Sequence, residues 1–137
     1  MEQWNGISDS NPQALFAYLS EQLNRFGLTY LHIIEPRVKG NVLTGEGQAP
    51  VASEQLRNIF NGKIIAAGGF EPDSAEAIVV KGDADLVTFG RYCVSNPDLP
   101  ERIRQGLPLN DYERDTFYTF DAHGYTVYPF YDLCAAA

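Results

Sequence analysis

Two glycine turns carry the clearest chemistry in this sequence. Gly68-Gly69 ends one apolar run, and Gly90-Arg91 ends the next apolar run, about one helix and one strand further along. Glycine exposes backbone N–H groups without a Cβ beside them, and an arginine guanidinium can hold two phosphate oxygens at once. The pattern predicts a phosphate site if the two turns lie side by side. The alternative is that the glycines only form tight turns and that Arg91 is a surface charge.

Other reactive side chains lack the neighbours that catalysis or metal binding needs. Cys93 and Cys134 have no metal-type spacing, so no metal site is predicted. His32 lies inside an apolar run and is predicted to be buried and hydrogen-bonded. Asp83 and Asp85 flank Ala84 at the start of a predicted strand, where carboxylates serve stability more often than acid–base chemistry.

Three strands and four helices must position these residues. The strands are predicted from nearly continuous apolar runs, which are typical of strands buried on both faces of a parallel sheet: Leu28–Ile34, Lys63–Ala67 and Ala84–Phe89. The helices are predicted from capping signals and helical spacing of apolar residues: Pro12 to Phe26, Ser53 to Phe60, Asp73 to Lys81, and Asn96 to Arg104. The order is a helix, then three strand–helix repeats.

This order predicts an α/β fold with parallel strands and right-handed crossovers. Two architectures remain open on the pattern alone: an open doubly wound sheet, and a segment of an eight-fold β/α barrel. A single domain is expected over residues 1–137, with an aromatic tail from Asn110 and a disordered end over 132–137. The segment from Val38 to Val51 is predicted to be a mobile loop on the ligand-binding side of the sheet.

The composition excludes several classes of function. The formal net charge is -8 and the pI is about 4.6, which argues against binding nucleic acid or an anionic membrane. No apolar run approaches the roughly 20 residues that span a bilayer, and the first residues do not resemble a secretory signal. A cytoplasmic protein is expected.

Six motifs, which together cover nearly the whole chain in the correct order, resemble those of the Old Yellow Enzyme family of flavoproteins. They are Tyr30-Leu-His-Ile-Ile-Glu-Pro-Arg37, Lys63-Ile-Ile-Ala-Ala-Gly-Gly-Phe70, Gly82-Asp-Ala-Asp-Leu-Val-Thr-Phe-Gly-Arg91, Ser95-Asn-Pro-Asp-Leu99, Asp115-Thr-Phe-Tyr118 and Gly124-Tyr-Thr-Val-Tyr-Pro129. The family includes NADPH dehydrogenases, oxophytodienoate reductases and fungal ene-reductases of secondary metabolism, and the sequence looks most like its fungal and plant branch.

The resemblance implies the C-terminal part of an FMN-binding (β/α)8 TIM barrel, with the three strands as the sixth, seventh and eighth. It also implies which residues face the ligands. Those expected to contact FMN are Gly68, Gly69, Phe70, Gly90, Arg91 and Phe117, and the one expected to contact substrate is Tyr118. In the family the catalytic residues lie earlier in the chain, so no catalytic residue is predicted here.

The implied activity is reduction of the C=C bond of an enone-type small molecule by NAD(P)H through FMN. Two alternatives remain open. The chain is an inactive remnant or half-barrel that associates with itself or with a missing N-terminal half through exposed barrel edges, or it is a more general phosphate-binding module.

Overall fold

The structure is a computed structural model and describes residues 9–36, 38–39, 42–43 and 51–132, with backbone alone at 38–39 and 42–43. The chain divides into two compact units, Met1–Thr88 and Phe89–Ala137, which are described separately. The single domain and the disordered end remain predictions.

The first unit is built on a three-stranded parallel sheet. Its elements in chain order are α1 (Pro12–Leu23), a 3-10 turn (Asn24–Phe26), β1 (Tyr30–Ile34), β2 (Val38–Lys39), β3 (Val42–Leu43), α2 (Ala52–Arg57), β4 (Lys63–Ala67), α3 (Pro72–Lys81) and β5 (Leu86–Thr88). The sheet order is β1-β4-β5, and both pairings are parallel. The predicted α/β arrangement with parallel strands is therefore confirmed. β2 and β3 form a separate antiparallel pair inside the segment predicted as a loop.

Local signals in the sequence fix the ends of α1. The Asn11 side chain accepts a hydrogen bond from the N–H of Ala14 at 3.1 Å and so caps the helix, with Pro12 in the first turn. The helical segment ends at Gly27, whose φ of 60° is the left-handed conformation that glycine adopts without strain. Both ends agree with the prediction.

One face of the sheet is covered and the other is exposed. In register, Ile33 of β1 lies opposite Ala66 of β4, and both are buried together with Ile64. On the opposite face Tyr30, Ile34 and Leu86 are exposed, Ile34 to 58%. The prediction that the strands are buried on both faces is therefore wrong for this face. The apolar side chains there are available for a second layer.

Asp85 ties together the amino-terminal ends of β4 and β5. Its carboxylate accepts hydrogen bonds from the Nζ of Lys63 at 2.7 Å, the N–H of Ile64 at 2.9 Å and the Nη1 of Arg57 at 2.8 Å. The hydrogen bonds from Lys63 and Ile64 lower the pKa of Asp85. Asp83 forms an ion pair with Lys81 instead. Both carboxylates therefore stabilise the fold, as the sequence predicts.

This network predicts a loss of stability in acid. Because the pKa of folded Asp85 lies below its ordinary value of 3.8, the folded chain binds fewer protons than the unfolded chain. The contribution of Asp85 is full above that value and is lost as pH falls through the lowered pKa. We expect Asp85→Asn to lower the free energy of unfolding at pH 7 by about 1–2 kcal/mol, and by less at pH 3, in urea titrations. The exposed control Asp111→Asn should change little at either pH. An Asp85→Asn effect as large at pH 3 as at pH 7 would contradict the assignment.

The second unit has two helices and a long irregular tail. α4 spans Arg91–Ser95, α5 spans Leu99–Gln105, and a 3-10 turn spans Arg114–Thr116. α4 was not predicted, because the helix was expected to begin near Asn96. Instead the buried Asn96 separates the two helices, and its side-chain amide donates to the carbonyl of Tyr92 at 3.0 Å.

Candidate functional site

The turn after β4 has a backbone that only glycine adopts readily. Gly68 has a φ of 105° and Gly69 a φ of 67°, and both residues are half-buried. The carboxyl ends of β4 and β5 lie side by side, because Ala67 is paired with Thr88. That edge of a parallel sheet is where α/β proteins bind ligands. The turn therefore brings main chain to the ligand edge without side chains on it.

The start of α3 does not offer a second anion site. Its N-cap residue Glu71 forms a capping box with Ser74, whose hydroxyl accepts a hydrogen bond from the N–H of Glu71 at 2.9 Å. Glu71 and Asp73 also place carboxylates at this helix end, where negative charge is favoured. The N-terminal end of α3 is therefore occupied by side chains of the helix itself, and Gly68 and Gly69 would have to carry the contact to an anion.

Phe70, predicted to contact the cofactor, has a buried side chain in the core of the first unit. Its burial leaves only its backbone for a contact with a ligand. The predicted contact of Phe70 with FMN is therefore one that only its main chain can make.

In the second unit Arg91 is held by Tyr112. Its Nη1 donates to the Tyr112 hydroxyl at 3.0 Å, and its guanidinium carbon lies 5.3 Å from the centre of the Tyr112 ring. Within the described residues no carboxylate forms an ion pair with Arg91. Arginine has five N–H donors, so the fixed guanidinium retains donors for an anion.

Tyr112 begins a chain of aromatic contacts that reaches Tyr118. The Tyr112 ring lies 6.0 Å from that of Phe117, the Phe117 ring lies 6.2 Å from that of Tyr118, and the Tyr118 ring lies 5.6 Å from that of Tyr125. The second unit thus brings together Arg91, Phe117 and Tyr118, all three predicted to contact ligands. Nothing in the sequence singles out Tyr112, since a single tyrosine carries no signal for the arginine that it holds.

Tyr118 has an unusual backbone. Its φ of 56° lies in the left-handed region, and among the described residues it is the one non-glycine residue with a positive φ. The side chain is 72% exposed. Strained conformations of this kind concentrate at functional sites. This observation is consistent with the predicted contact to substrate.

The backbone conformation at Gly90 does not require glycine, whereas the conformations at Gly68 and Gly69 favour it. Its φ is -88° and its ψ is -72°, and a Cβ built there meets no atom within 4 Å. Any small residue could adopt this conformation. The open space beside Gly90 is what a phosphate-binding turn needs, because an added side chain would occupy it.

The described residues also include the reactive side chains His32 and Cys93. His32 is exposed in β1, so its predicted burial is wrong: the face of the sheet on which it lies is not covered. Burial of part of the thiol raises the pKa of Cys93, the opposite of an activated nucleophile. Within the described ranges no three His, Cys, Asp or Glu residues are grouped to hold a metal ion. Nor is any helix there long and apolar enough to cross a membrane.

A parallel sheet with a glycine turn at its ligand edge is the arrangement of an α/β ligand-binding protein. The sequence model of the family described as NADH:flavin oxidoreductase / NADH oxidase matches residues 2–110, and the chain belongs to this family. The predicted resemblance to Old Yellow Enzymes is confirmed.

Three relatives illustrate the match. The chain is 46% identical over 125 residues to 12-oxophytodienoate reductase 2 of Arabidopsis thaliana, covering 88% of this chain and 32% of that protein. It is 42% identical to morphinone reductase, with a TM-score of 0.78 over 93% of this chain and 33% of that one. It is 32% identical to the old yellow enzyme from Trypanosoma cruzi, with a TM-score of 0.81 over 93% of this chain and 32% of that one.

The chain spans about a third of the length of the relatives that it matches. The predicted cofactor, FMN with NAD(P)H as reductant, is the cofactor of this family. The individual contacts predicted for FMN and substrate remain predictions.

Proposed function

We propose that this chain supplies the flavin-phosphate-binding end of an FMN-dependent NAD(P)H oxidoreductase that reduces the C=C bond of α,β-unsaturated carbonyl compounds. The observation that carries the proposal is the pair of consecutive left-handed glycines, Gly68 and Gly69, at the ligand edge of a parallel sheet. The parallel strands β1, β4 and β5 would be the sixth, seventh and eighth strands of a (β/α)8 barrel.

The residues present fit a phosphate group. In the first unit, Gly68 and Gly69 place main chain that carries no Cβ at the edge of the sheet. In the second unit, Gly90 leaves space that a Cβ would fill. Arg91 adds a permanent positive charge whose orientation Tyr112 fixes. In a chain with a net charge of -8, such a guanidinium is the group to which a phosphate would bind.

Each group of residues would have one task. Gly68, Gly69 and Arg91 would hold and orient the phosphate, and Phe117 would pack against the apolar edge of the flavin. Exposed Tyr118 would contact the substrate. Bound FMN supplies the capacity to carry a hydride from NAD(P)H to the alkene. This chain would supply binding and orientation, and the remaining part of the family fold would supply the catalytic side chains.

A second reading is that the chain is a catalytically inactive remnant. Its basis is that the chain spans about a third of each relative and that the family resemblance predicts no catalytic residue in this part. Under this reading the phosphate-binding turns persist, while NAD(P)H consumption is absent.

Titration of the purified chain with FMN tests the proposal. We expect quenching of flavin fluorescence with one FMN bound per chain, and weaker quenching by riboflavin because it lacks the phosphate. NADPH oxidation with an enone substrate, measured in the same sample, separates an active enzyme from a remnant. Failure of a folded sample to bind FMN would overturn the proposal for this chain.

The variant Gly90→Val tests whether the phosphate of FMN binds beside Gly90. A side chain there should lower the affinity for FMN about tenfold, equivalent to 1.4 kcal/mol. The free energy of unfolding should change by no more than about 1 kcal/mol, because the backbone and the open space both accept a side chain. The control Ala77→Val, on an exposed position of α3, should leave affinity unchanged. Equal affinities for Gly90→Val and the unmodified chain would place the phosphate elsewhere.

A further inference from the structure

We propose that Asn110 is a positioning residue for the guanidinium of Arg91, and that it acts through Tyr112. This role rests on the proposed function, because it takes Arg91 as the group that binds a phosphate. Asn110 itself forms no hydrogen bond with Arg91 and lies 19 positions further along the chain. All three residues belong to the second unit.

The position of Arg91 depends on Tyr112. Among the described residues Tyr112 is the hydrogen-bond partner of its guanidinium, through the hydroxyl at 3.0 Å, and the Tyr112 ring lies 5.3 Å from the guanidinium carbon. Within residues 9–36 and 51–132, neither the N–H nor the carbonyl of Tyr112 forms a hydrogen bond. The residues on either side of Tyr112 must therefore hold it in place.

Asn110 is fixed by five hydrogen bonds. Its side-chain amide donates to the carbonyl of Ser95 at 2.8 Å and to that of Pro129 at 3.1 Å, and its Oδ1 accepts from Arg102 at 3.0 Å. Its N–H donates to the Oδ1 of Asn96 at 2.7 Å, and its carbonyl accepts from the Ser95 hydroxyl at 3.2 Å. Because Ser95, Asn96 and Arg102 are buried, water competes little for these hydrogen bonds.

The lengths of two segments explain how this clamp reaches Arg91. α4 spans Arg91–Ser95, and at about 1.5 Å per residue its first and last residues lie about 6 Å apart along the axis. Residues 107–113 form neither helix nor strand, and two residues of extended chain span about 7 Å. Asn110 is bonded to Ser95 at the end of α4, and Tyr112 is bonded to Arg91 at its beginning. The chain from Asn110 to Tyr112 therefore runs back alongside α4.

The anchor on the other side of Tyr112 is weaker. The N–H of Glu113 donates to the hydroxyl of Tyr128 at 3.0 Å, which is one neutral hydrogen bond at an exposed residue. Buried hydrogen bonds are electrostatically stronger, and a buried donor or acceptor that loses its partner is costly. By number and by burial, the contacts of Asn110 decide where Tyr112 meets Arg91.

A guanidinium that is fixed in the free chain gives up less side-chain freedom when an anion binds. Riboflavin is FMN without the phosphate, so the ratio of the FMN affinity to the riboflavin affinity measures what the phosphate contacts contribute. Loss of the Asn110 clamp should lower this ratio and leave the riboflavin affinity unchanged. A residue that only stabilised the fold would change both affinities by the same factor.

Asn110→Asp keeps the size of the side chain and the acceptor for Arg102, but it removes both amide donors and places a carboxylate against two carbonyls. We expect the FMN-to-riboflavin affinity ratio to fall about three- to tenfold. Ser95→Ala removes only the hydroxyl that is bonded to the Asn110 carbonyl. It should lower the ratio about twofold or more, and it tests the clamp if Asn110→Asp does not fold. Tyr128→Phe, which removes the other anchor, is the matched control and should leave the ratio unchanged.

Side-chain NMR gives a readout that needs no ligand. The order parameter of the Arg91 Nε–H should exceed about 0.6 in the unmodified chain and fall below about 0.6, the range of flexible groups, in Asn110→Asp. Arg57, which Asp85 holds in the first unit, is the internal reference and should keep its order.

Three results would overturn the role of Asn110. They are an ordered Arg91 in folded Asn110→Asp and Ser95→Ala variants, equal falls of the FMN and riboflavin affinities, and an effect of Tyr128→Phe as large as that of Asn110→Asp. If Arg91 loses its order in a variant of a chain that does not bind FMN, the proposed function fails and the role of Asn110 stands. If the unmodified chain binds FMN and Arg91 stays ordered in both clamp variants, the role of Asn110 fails alone.

Discussion

Replacing Arg102 by methionine is expected to lower the free energy of unfolding by about 3–5 kcal/mol, the cost of breaking a buried ion pair by removing one partner. The Arg102 side chain is only 2% exposed, and its Nε donates to Asp98 at 2.7 Å. Its other donors reach the carbonyls of Pro108 at 3.1 Å and Pro129 at 2.8 Å, and the side chain of Asn110 at 3.0 Å. One guanidinium therefore connects α5 to both ends of the irregular tail.

The carboxylate of Asp98 completes this network. It also accepts a hydrogen bond from the N–H of Tyr131 at 2.8 Å. Burial opposes ionisation of Asp98, but the hydrogen bonds from Tyr131 and Arg102 outweigh it and lower the pKa. Methionine would fill much of the volume of Arg102 but would donate no hydrogen bond to Asp98, Pro108 or Pro129. Asp98 would keep only the N–H of Tyr131, and the Pro129 carbonyl only the amide of Asn110.

Urea unfolding followed by circular dichroism measures the effect. Arg104→Met is the matched control: it makes the same change two residues along the same helix, at an exposed side chain that pairs with Glu101. We expect a change within about 0.5 kcal/mol for the control. If Arg102→Met lost no more stability than Arg104→Met, the network would not hold the tail. The double variant Arg102→Met with Asp98→Asn should lose less than the sum of the single variants, because they share partners.

Local sequence signals were sufficient to predict the bounds of elements that turn or capping residues flank. β4 spans Lys63–Ala67 as predicted, because turn residues bound its apolar run on both sides. α3 was predicted from Asp73 and begins at Pro72, and it ends before Gly82 as predicted. These boundaries depend on residues within one or two positions of the element, and a sequence displays such residues directly.

Features that depend on distant partners were not predictable. β5 spans only Leu86–Thr88, and Asp85, which was included in the predicted strand, precedes it with its side chain bonded to Arg57 and Lys63. His32 was predicted to be buried because apolar residues flank it, yet burial of both faces requires a second layer of structure. The apolar run shows that both faces of the strand can be buried, but the described fold covers only one face of the strand.

The candidate site divides in the same way. Gly68 and Gly69 were identified from residue type alone, and their positive φ values give the physical reason for those types. The hydrogen bond between Arg91 and Tyr112 joins residues 21 positions apart, and no sequence signal near either residue predicts it. Buried polar networks of this kind are recognised only once the chain is folded, because each side chain is ordinary by itself.

Glu35, like Tyr112, has a structural role that the sequence did not predict. It follows β1 and is fully buried, with a relative exposure of 0%. Its carboxylate accepts hydrogen bonds from the N–H groups of Val51 and Ala52 at 2.9 Å and of Ser53 at 3.0 Å, and from the Ser53 hydroxyl at 2.6 Å. A single side chain at the end of β1 thus satisfies the first N–H groups of α2, 16 to 18 residues away.

Glu35→Gln is expected to lower the free energy of unfolding by about 2–4 kcal/mol, because hydrogen bonds to a charged group are strong and buried donors without an acceptor are costly. Glutamine keeps the size of the side chain but turns one acceptor oxygen into an amide donor, which would face N–H groups that are donors themselves. Glu54→Gln, an exposed change on the same α2 helix, is the control and should cost less than about 0.5 kcal/mol. Urea unfolding of both variants measures the two losses in the free energy of unfolding. Equal losses in the two would mean that α2 is held by its packing, and that the cap contributes little.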